Sequence, residues 1–378
     1  MARVLILGGG FGGVATAVTL QELLAGDVEI TLVSQRPYFM VGFRKTWAML
    51  EMASLDDGLR SLTLLEKRGI KVVLGTVEAI DPATRSAIID GQRVEADALV
   101  VALGVRHAPE KIPGFKEHAL NAYTVEELER VTQALRDFKG GQVVTGVFGL
   151  PYQCPPAPYE IAMLTKEYFQ RRRVDMEITV ISPKPLSLWA AGKESSDRLD
   201  QRMAEFGIKF LPNRVVTAVE AGAVVCGETR MPCDMALGVP PHIAVDVVRN
   251  SPLAAAGGWV HVNRQTLETA FEDVYAVGDC VKIPVGTNGR IPLAGLFAEK
   301  EGIVVARRIA ARLREEQATA VLDGEAGCYV EAGRQEAAVI GGDFLADPAP
   351  DIALSEFSRA HFDDKHEFER SRLEAWFG

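Results

Sequence analysis

The sequence lacks the features that mark several large classes of protein. No apolar run reaches roughly eighteen residues, so a transmembrane helix is not expected. The formal net charge is −10, which leaves no basic surface of the kind that nucleic-acid binding needs. The five cysteines have no short paired spacing, so neither a zinc site nor a secreted disulfide framework is expected.

The length and composition are those of a globular protein. The chain has 378 residues, of which 48% are hydrophobic, and it can bury one large core or two ordinary ones. The first strand is predicted to begin at Ala2 or Arg3, which leaves no room for a signal peptide. A cytoplasmic location is therefore expected.

The N-terminal segment has the pattern of a dinucleotide-binding βαβ unit. The predicted elements are a strand over residues 3–7, a helix over 14–24 and a strand over 29–33. In the turn before the helix, Gly8 permits a tight turn, Gly10 lets a pyrophosphate approach, and Gly13 permits helix–strand packing. Amides at the start of the helix would hold the diphosphate. The candidate cofactor-binding residues here are Gly8, Gly10, Phe11, Gly12 and Gly13.

The end of the second strand departs from the usual pattern. A ribose-binding Asp or Glu is expected there, but the chain has Ser34, Gln35 and Arg36. Ser34 and Gln35 can bond a ribose as neutral groups, and they are predicted cofactor contacts. Arg36 could instead indicate the 2′-phosphate of NADP. Later motifs favour FAD.

Two later segments resemble motifs of flavoproteins with two dinucleotide-binding domains. Strands are predicted over residues 74–80, 86–89 and 98–104. The last of them resembles the crossover of these flavoproteins, and residues 271–279 resemble their late Gly-Asp motif, whose aspartate bonds the ribityl chain. In this order, the motifs make FAD the expected cofactor. The further candidate contacts are Lys45, Val77, Ala102, Leu103, Gly104, Gly278, Asp279 and Gly295.

The middle of the chain repeats the βαβ pattern. The predicted elements are a strand over residues 142–148, a helix over 157–171 and a strand over 177–181. The predicted fold is α/β, with two Rossmann-like domains arranged as in glutathione reductase and a small C-terminal capping region. The expected boundaries are an FAD-binding domain over residues 1–107 and 243–318, a second domain over 108–242, and a capping region over 319–378.

The turn of the second unit has no glycine-rich loop. Prolines at positions 151, 155, 156 and 158 remove amide donors and fix the backbone, so the turn is a poor cradle for a nicotinamide pyrophosphate. Cys154 lies just before the predicted helix, whose positive end favours a reactive thiolate. A second interpretation is that Cys154 is a small apolar filler.

The other cysteines differ in their expected roles. Cys328 lies in a tail segment that is expected to cover the flavin, and it is the best partner candidate for Cys154. Cys226 and Cys233 flank a predicted hairpin turn and could pair across its strands, although free structural thiols are favoured in a reducing cytosol. Cys280 follows Asp279, and packing is its expected role.

These motifs resemble the family of sulfide:quinone oxidoreductases and flavocytochrome c sulfide dehydrogenases. The resemblance runs from Gly8 to Gly378, and its specific parts are residues 154–160, 238–242, 258–262, 277–279, 327–329, 368–370 and 376–378. It implies that Cys154 and Cys328 cycle through a disulfide or polysulfide, oxidise sulfide to zero-valent sulfur or polysulfide, and reduce non-covalently bound FAD. Glu160 is the candidate proton handler, and a helix N-terminal carboxylate is its other expected role.

The resemblance also bears on partners and on the C-terminus. It implies a quinone or a cytochrome as electron acceptor, allows a homodimer, and allows peripheral contact with the inner face of a membrane. A helix is predicted over residues 365–377, with Phe368, Leu373, Trp376 and Phe377 on its apolar side. Its acidic character favours docking on the protein itself or on a dimer mate.

The chain departs from the family at three places, one of which is Ser187-Leu188-Trp189, where many members have a histidine. No cysteine precedes Cys154, and Leu293 stands where the family has a lysine; Arg44, Lys45 or Lys300 could supply that charge. Two alternatives also remain. One is a type II NADH dehydrogenase, and the other is a non-catalytic flavin redox sensor or electron-transfer subunit.

Overall fold

The computed structural model describes residues 1–24, 26–286 and 289–378. The strands in the first third of the chain are β1 (Ala2–Leu7), β2 (Val28–Ser34), β3 (Tyr38–Phe39), β4 (Arg60–Ser61), β5 (Lys71–Leu74), β6 (Val77–Asp81), β7 (Ser86–Ile89), β8 (Gln92–Glu95), β9 (Ala98–Val101) and β10 (Val105–His107). The middle contains β11 (Leu120–Asn121), β12 (Gly141–Val147), β13 (Met176–Ile181), β14 (Lys209–Leu211), β15 (Ala218–Glu220), β16 (Ala223–Cys226), β17 (Thr229–Pro232), β18 (Met235–Val239) and β19 (His242–Ala244). The last strands are β20 (Val274–Ala276), β21 (Pro284–Val285), β22 (Gly289–Arg290), β23 (Glu325–Glu331), β24 (Ala337–Asp343) and β25 (Asp351–Leu354).

The α-helices alternate with these strands over most of the chain. They are α1 (Phe11–Leu24), α2 (Arg44–Met49), α3 (Phe115–His118), α4 (Leu128–Asp137), α5 (Ala157–Arg171), α6 (Gly192–Glu205), α7 (Asp246–Arg249), α8 (Gly295–Leu313) and α9 (Arg359–Phe377). Among the described residues, none of these helices combines the length and the apolar character that crossing a bilayer requires.

Two parallel sheets form the framework. The first has the strand order β20-β9-β1-β2-β5, and the second has the order β11-β18-β12-β13-β14. All pairings within both sheets are parallel. β9 is buried along its whole length, as expected for a parallel strand covered on both faces. The predicted α/β fold with two Rossmann-like units is confirmed.

Two short strands carry the chain between the sheets. β10 leads from the first sheet into the second, and β19 leads back, and the two pair antiparallel with His107 opposite His242. The second sheet takes its strands from residues 120–239, whereas the first sheet regains one strand at β20. The crossing strands therefore lie between the two turns that the sequence singles out.

The C-terminal part packs onto both halves. β23, β24 and β25 form an antiparallel sheet, and residues of β23 pack in the core of the second half. α9 places Leu373, Trp376 and Phe377 in the core of the first half. Its apolar side is thus covered by the protein itself, which is the interpretation that the sequence favoured.

The helix α9 begins six residues earlier than predicted. The hydroxyl of Ser358 accepts a hydrogen bond from the His361 amide at 3.2 Å and so caps the helix. The expected start at Lys365 was therefore wrong, because the cap precedes a polar first turn that has no apolar periodicity.

The predicted strand over residues 74–80 is also wrong, because the structure has two strands there in different sheets. β5 ends at Leu74 in the first parallel sheet, and β6 begins at Val77 in a small antiparallel sheet with β7 and β8. Between them, the Gly75 amide donates to Ser34 O and the Thr76 amide donates to the Asp90 carboxylate. These two bonds turn the chain away from the first sheet.

Candidate active site

The turn between β1 and α1 shows what each of its glycines contributes. A Cβ at Gly8, where φ is +117°, would overlap the carbonyl oxygen of Ala102. A Cβ at Gly13 would overlap the carbonyl oxygen of Gly8, so the helix α1 lies directly on β1. A Cβ at Gly10 would meet no atom within 4 Å. Gly8 and Gly13 therefore serve packing, and Gly10 leaves the turn open.

Helix α1 also contacts α8 through small residues. A Cβ at Gly12 would lie 2.8 Å from a methyl of Val277, and a Cβ at Gly295 would lie 2.7 Å from the Phe11 ring. Phe11 also packs edge-on against Phe39 with ring centroids 5.0 Å apart. Gly12 and Gly295 thus bring the start of α8 against the start of α1, where both helix N-termini meet the same edge of the sheet.

The segments predicted to bind FAD converge at the carboxyl edge of the first sheet. β1, β9 and β20 are neighbours, so the turns that follow them lie side by side. The corresponding residues are Gly8, Ala102, Leu103, Gly104, Gly278 and Asp279. The open backbone at Gly10 and the unpaired amides of the first helical turn could hold a diphosphate at this edge. The residues present therefore fit a dinucleotide.

The ribose side of this edge is less specific. The Ser34 hydroxyl donates a hydrogen bond to the carbonyl of Arg36 at 2.7 Å, so it retains only acceptor capacity. Gln35 is exposed, and Arg36 pairs with Glu126 at 2.8 Å on the surface. Val77 is half-buried at the start of β6 and packs against the first core. Gln35 is thus the free polar side chain among the predicted ribose contacts.

Asp279 and a buried carboxyl that the sequence analysis missed lie together behind the late motif. Burial raises the pKa of Asp279, which accepts a hydrogen bond from the amide of Gln153. Glu301 on α8 accepts from the Gly278 amide at 2.5 Å, and burial raises its pKa to about 8. Glu301 therefore stays protonated at neutral pH and supports the turn without adding charge beside Asp279.

The second turn folds across to the first half of the molecule. The Cys154 amide donates to the carbonyl of Leu293 at 2.6 Å, and Gln153 pairs with Leu293 as an isolated bridge. The His242 amide donates to Pro151 O at 2.7 Å. Cys154 itself is in the left-handed region at φ +51°. The turn is therefore fixed to the rest of the protein at Cys154 and at Pro151, and its prolines reduce the number of amides that it can offer.

The two candidate cysteines lie next to each other. Cys154 and Cys328 are free, half-buried thiols, and they lie close enough for Cys328 to be the main cause of the pKa shift of Cys154. The neighbouring thiol and burial raise the pKa of Cys154 well above 9, and the charge of Lys365 lowers it less than they raise it. The expectation of a thiolate at Cys154 was therefore wrong for this reduced pair, because the neighbouring thiol and the loss of water favour the neutral form.

A buried charged cluster lies beside the cysteine pair. Lys365 Nζ on α9 is 2.8 Å from Glu160 Oε1 and 3.0 Å from Glu331 Oε2. The Glu331 amide donates to Glu160 at 2.8 Å, and the Trp47 indole donates to Glu331 at 2.8 Å. Burial raises the pKa of Glu160 despite the lysine. Glu160 is thus a buried group in contact with two charged neighbours, and it also lies in the first turn of α5.

The sequence analysis missed Lys365, Glu331 and Trp47. A buried lysine leaves a weak signal in a single sequence, because Lys365 lies in an acidic amphipathic helix among several other charged residues. Two of the basic residues considered as substitutes for the family's lysine form ion pairs elsewhere. Arg44 pairs with Glu369, and Lys300 pairs with Asp323 at 3.6 Å.

Lys45 has no ion pair among the described residues. Its ammonium group lies near Arg36, Glu126 and Cys154, and burial lowers its pKa to about 8. Lys45 therefore directs a positive charge at the cysteine side of the site.

The remaining cysteines lie in packed positions. Cys226 ends β16 next to the hairpin turn and Cys233 follows β17, so they lie at opposite ends of the hairpin. Both are free and belong to a small apolar core. Cys280 has no exposed surface, and its thiol donates to Val101 O at 3.5 Å. Structural roles for these three cysteines are consistent with the geometry.

Aromatic side chains surround the junction of α2, β23 and α9. Phe368 lies 6.3 Å from Phe43 and 6.0 Å from Tyr329 between ring centroids. It also stacks near Phe11 at 6.4 Å. Phe43, Tyr329 and Phe368 are only partly buried. This half-exposed aromatic surface adjoins the Lys365 cluster and lies on the side of β23 and α9.

Comparisons with known proteins agree with this geometry. The mitochondrial sulfide:quinone oxidoreductase of Mus musculus is 26% identical over 365 residues, which cover 92% of this chain and 79% of that protein. The sulfide-quinone reductase of Aquifex aeolicus is 28% identical over 375 residues, covering 92% and 84%. The type II NADH:quinone oxidoreductase of Staphylococcus aureus is 24% identical over 340 residues, covering 81% of each. The resemblance predicted from the sequence is confirmed.

The fold has a close counterpart among solved structures. The crystal structure of the sulfide:quinone oxidoreductase from Aquifex aeolicus matches with a TM-score of 0.89 and 24% identity, covering all of this chain and 92% of that one. A family model described as pyridine nucleotide-disulphide oxidoreductase matches residues 2–302. The chain therefore belongs to the pyridine nucleotide-disulphide oxidoreductase family and is an FAD-dependent oxidoreductase.

Proposed function

We propose that the protein oxidises sulfide to zero-valent sulfur or polysulfide through Cys154 and Cys328, and that a quinone receives the electrons. The observation that carries the proposal is that these two free thiols lie on separate elements of the fold and yet are close enough for Cys328 to raise the pKa of Cys154. Thiols this close need little movement to form a sulfur bridge. The sequence relatives named for sulfide and quinone support the same assignment.

The proposed sulfur chemistry starts from a disulfide between Cys154 and Cys328. Hydrosulfide attacks one sulfur, the S–S bond breaks, and a new S–S bond leaves a persulfide on one cysteine and a thiolate on the other. A second hydrosulfide attacks the outer sulfur and removes it as a polysulfide, which leaves both cysteines reduced. The cysteines return to the disulfide by losing two electrons and their protons. When bound, FAD would supply the two-electron acceptor that this step needs and would link it to the quinone.

The FAD contacts are proposed as the sequence analysis assigned them. The diphosphate would lie on the first turn of α1, where Gly10 leaves the backbone open. Asp279 would hold the ribityl chain, and its buried carboxylate is already aligned by Gln153. Gln35 would contact the ribose from its exposed position. Together these residues hold the cofactor next to the turn that carries Cys154.

Glu160 is proposed as the group that handles protons. Its carboxyl is buried beside the cysteine pair, and burial raises its pKa toward the range where a carboxyl can both take up and release a proton. Lys365 donates to it at 2.8 Å and also contacts Glu331. The cluster can thus hold one proton between the thiols and the aromatic surface at α9.

A quinone is proposed as the acceptor because an aromatic surface adjoins the proton-handling cluster. Phe43, Tyr329 and Phe368 are partly exposed there and can stack on a flat ring. Two-electron reduction of a quinone also consumes two protons, and the nearby Glu160 could supply one of them. A cytochrome acceptor, peripheral membrane contact and a homodimer remain predictions.

A nicotinamide substrate is disfavoured by the second turn. Prolines replace several amide donors, and the Cys154 amide is already bonded to Leu293. A pyrophosphate would therefore find few donors at this helix start.

The test is an anaerobic titration of the FAD-loaded protein followed by flavin absorbance. Sulfide is expected to bleach the flavin, whereas NADH at the same concentration is not. Replacing Cys154 by Ser should slow bleaching by at least about 10³-fold, because the nucleophilic pair is lost. Cys226→Ser is the matched control, since Cys226 is a buried cysteine of the distant hairpin.

Each other outcome identifies a different function. Rapid bleaching by NADH would establish the NADH dehydrogenase alternative. If neither sulfide nor NADH bleached the flavin, the result would favour a flavin sensor or an electron-transfer subunit. Equal bleaching by sulfide in wild type and Cys154→Ser would refute the cysteine-pair mechanism.

A further inference from the structure

A buried imidazole pair lies beside the cysteine turn and has no part in the chemistry described above. His107 ends β10 and His242 begins β19, and the two face each other across the crossing strands with ring centroids 4.0 Å apart. His242 has no exposed surface, and its amide donates to Pro151 of the turn that carries Cys154. The pair is therefore built into the wall of the cysteine site.

The hydrogen bonds of His242 define where its proton lies. Its Nδ1 is 2.9 Å from the Pro240 carbonyl oxygen, which can only accept, so Nδ1 carries the proton. Nε2 is then an acceptor, and it is buried without a hydrogen-bond partner among the described residues. A buried acceptor without a partner destabilises the folded state. The fold thus retains an acceptor that a ligand can satisfy.

His107 is fixed in the complementary tautomer. The Asn121 side-chain oxygen accepts from the Tyr123 amide at 3.0 Å, so the Asn121 amide group donates to His107 Nδ1 at 3.1 Å. The proton of His107 then lies on Nε2, and the Gln153 side chain lies near the ring. This network leaves His242 as the imidazole with a free acceptor.

A hydroxyl and an ammonium group complete the surroundings. The Tyr123 hydroxyl is buried without a partner among the described residues, and the Tyr123 ring lies 5.8 Å from the His242 ring. Burial raises the pKa of Tyr123 well above 10, and Cys154 lies near its hydroxyl. The Lys45 ammonium group on α2 lies near both imidazoles and Cys154. An acceptor, a donor and a cation therefore lie beside one cysteine.

We propose that His242, Tyr123 and Lys45 form a binding subsite for hydrosulfide beside Cys154, an inference that rests on the proposed function. Hydrosulfide carries one S–H donor and a negative charge, and it matches these three groups. Its S–H donates to His242 Nε2, its sulfur accepts from the Tyr123 hydroxyl, and its charge pairs with Lys45. Halide ions and sulfate dianion lack a donor for Nε2, so the subsite favours a protonated sulfur nucleophile.

His242 acts in this subsite as an acceptor and not as a base. Burial and the neighbouring His107 lower the pKa of His242 well below 6.5, so the ring does not hold a second proton at neutral pH. His107 is equally neutral, because burial and Lys45 lower its pKa to about 4. Lys45 therefore carries the positive charge of the pocket.

The test measures how flavin reduction in the FAD-loaded protein depends on sulfide concentration in anaerobic rapid mixing. Tyr123→Phe and His242→Phe are each expected to raise the half-saturating sulfide concentration about 5–10-fold, the loss of one hydrogen bond. Lys45→Met should raise it at least as much and Lys45→Arg should restore most of the affinity, with the flavin content measured in both because Lys45 is also a predicted FAD contact. His118→Phe is the matched control, because His118 is exposed on α3.

A structural role would give a different result. The subsite predicts that the limiting rate, the flavin content and the KM for a soluble quinone stay near the wild-type values in Tyr123→Phe. Unchanged half-saturation in both Tyr123→Phe and His242→Phe would overturn the subsite, and so would an equal rise in the KM for quinone.

A second measurement separates this inference from the proposed function. Sulfide is titrated into the FAD-loaded Cys154→Ser protein, and the shift of the flavin spectrum reports binding without the cysteine pair. Saturable binding that Tyr123→Phe weakens would support the subsite even if wild-type flavin were not reduced. Absence of saturable binding in Cys154→Ser would contradict the subsite whatever the wild-type protein does.

Discussion

The two Rossmann-like halves begin with the same strand, turn and helix, but their turns use the backbone differently. In the first half, the Gly8 amide bonds to Val33 in β2, and the helix begins at Phe11 with open space at Gly10. In the second half, the Cys154 amide bonds to Leu293 in the first half of the molecule. The first turn can receive an anion, whereas the second is tied to its neighbour and presents a side chain.

The helices behind the turns differ in the same way. The first helix, α1, has neither an acidic residue in its first turn nor a basic one in its last, and it meets α8 where Gly302 would clash with the Gly12 carbonyl if it had a Cβ. The second helix, α5, carries Glu160 into a buried cluster with Lys365. One unit is therefore specialised by the removal of side chains, and the other by the addition of ionisable ones.

The largest expected effect concerns the charged support of the second turn. Lys365→Met should lower the free energy of unfolding by about 3–5 kcal/mol, because two buried carboxylates lose their cation. Urea unfolding measures the change. Lys193→Met is the control, since Lys193 pairs with Asp197 on the surface of α6 and such pairs contribute about 0.5 kcal/mol. A loss below about 1 kcal/mol for Lys365→Met would mean that the cluster does not support α5.

Alanine substitutions, which add one methyl group, test the packing of the turn between β1 and α1. Gly13→Ala should lower the free energy of unfolding by about 3 kcal/mol, because its Cβ overlaps the Gly8 carbonyl. Gly10→Ala meets no atom and should change stability by less than about 0.5 kcal/mol, while the flavin-to-protein absorbance ratio falls. Equal stability losses in the two variants would contradict the separation of packing and cofactor roles.

The buried carboxyl of Glu301 should make the free energy of unfolding depend on pH. The pKa of Glu301 is about 8 in the folded state because of burial, and it is about 4.3 when unfolded. The folded protein holds the extra proton between these values, so its contribution to stability is complete below about pH 4 and is lost as pH rises toward 8.

Glu301→Gln should remove this dependence of the free energy of unfolding on pH. Between pH 5.5 and 7.5, the wild-type free energy of unfolding should fall relative to the variant by about 2–3 kcal/mol, since one proton corresponds to about 1.4 kcal/mol per pH unit. Urea unfolding at three pH values with excess FAD measures it. Parallel pH profiles would refute a neutral Glu301.

The smallest expected effect concerns the cap of α9, which carries Lys365 to the second turn. Ser358→Ala should lower the free energy of unfolding by about 1 kcal/mol, because the His361 amide loses its acceptor. Ser371→Ala is the control, since Ser371 lies inside the helix, where its hydroxyl donates to Phe368 O and accepts from the Arg372 side chain but caps no backbone amide. Indistinguishable values for the two variants would show that the cap contributes nothing.

The sequence predicts the local part of this comparison well. The spacing of Gly8, Gly10 and Gly13 and the prolines around Cys154 act within a few residues, so their consequences are visible in one segment. The helix α5 occurs with the predicted bounds because its turn and its apolar periodicity coincide. Cys328 was chosen as the partner because its tail segment was expected to cover the flavin and because the family resemblance pairs it with Cys154.

The long-range part could not be predicted in the same way. Lys365, Glu331 and His242 lie in segments whose local patterns indicate an acidic helix, a strand and a motif end, and only the fold brings them to the cysteine turn. The thiolate at Cys154 was predicted from the helix end alone, whereas the neighbouring thiol decides its pKa. The sequence pattern carries no measure of such desolvation.

The central claim is that Cys154 and Cys328 form a sulfur bridge that sulfide opens. Peptide mapping by mass spectrometry, without reductant, tests it on oxidised FAD-loaded protein before and after one equivalent of anaerobic sulfide. The account predicts peptides joined through these two cysteines before addition, and a persulfide on one of them as the bridged form disappears. Free thiols at both positions in the oxidised protein, or a bridge that sulfide leaves intact, would contradict it.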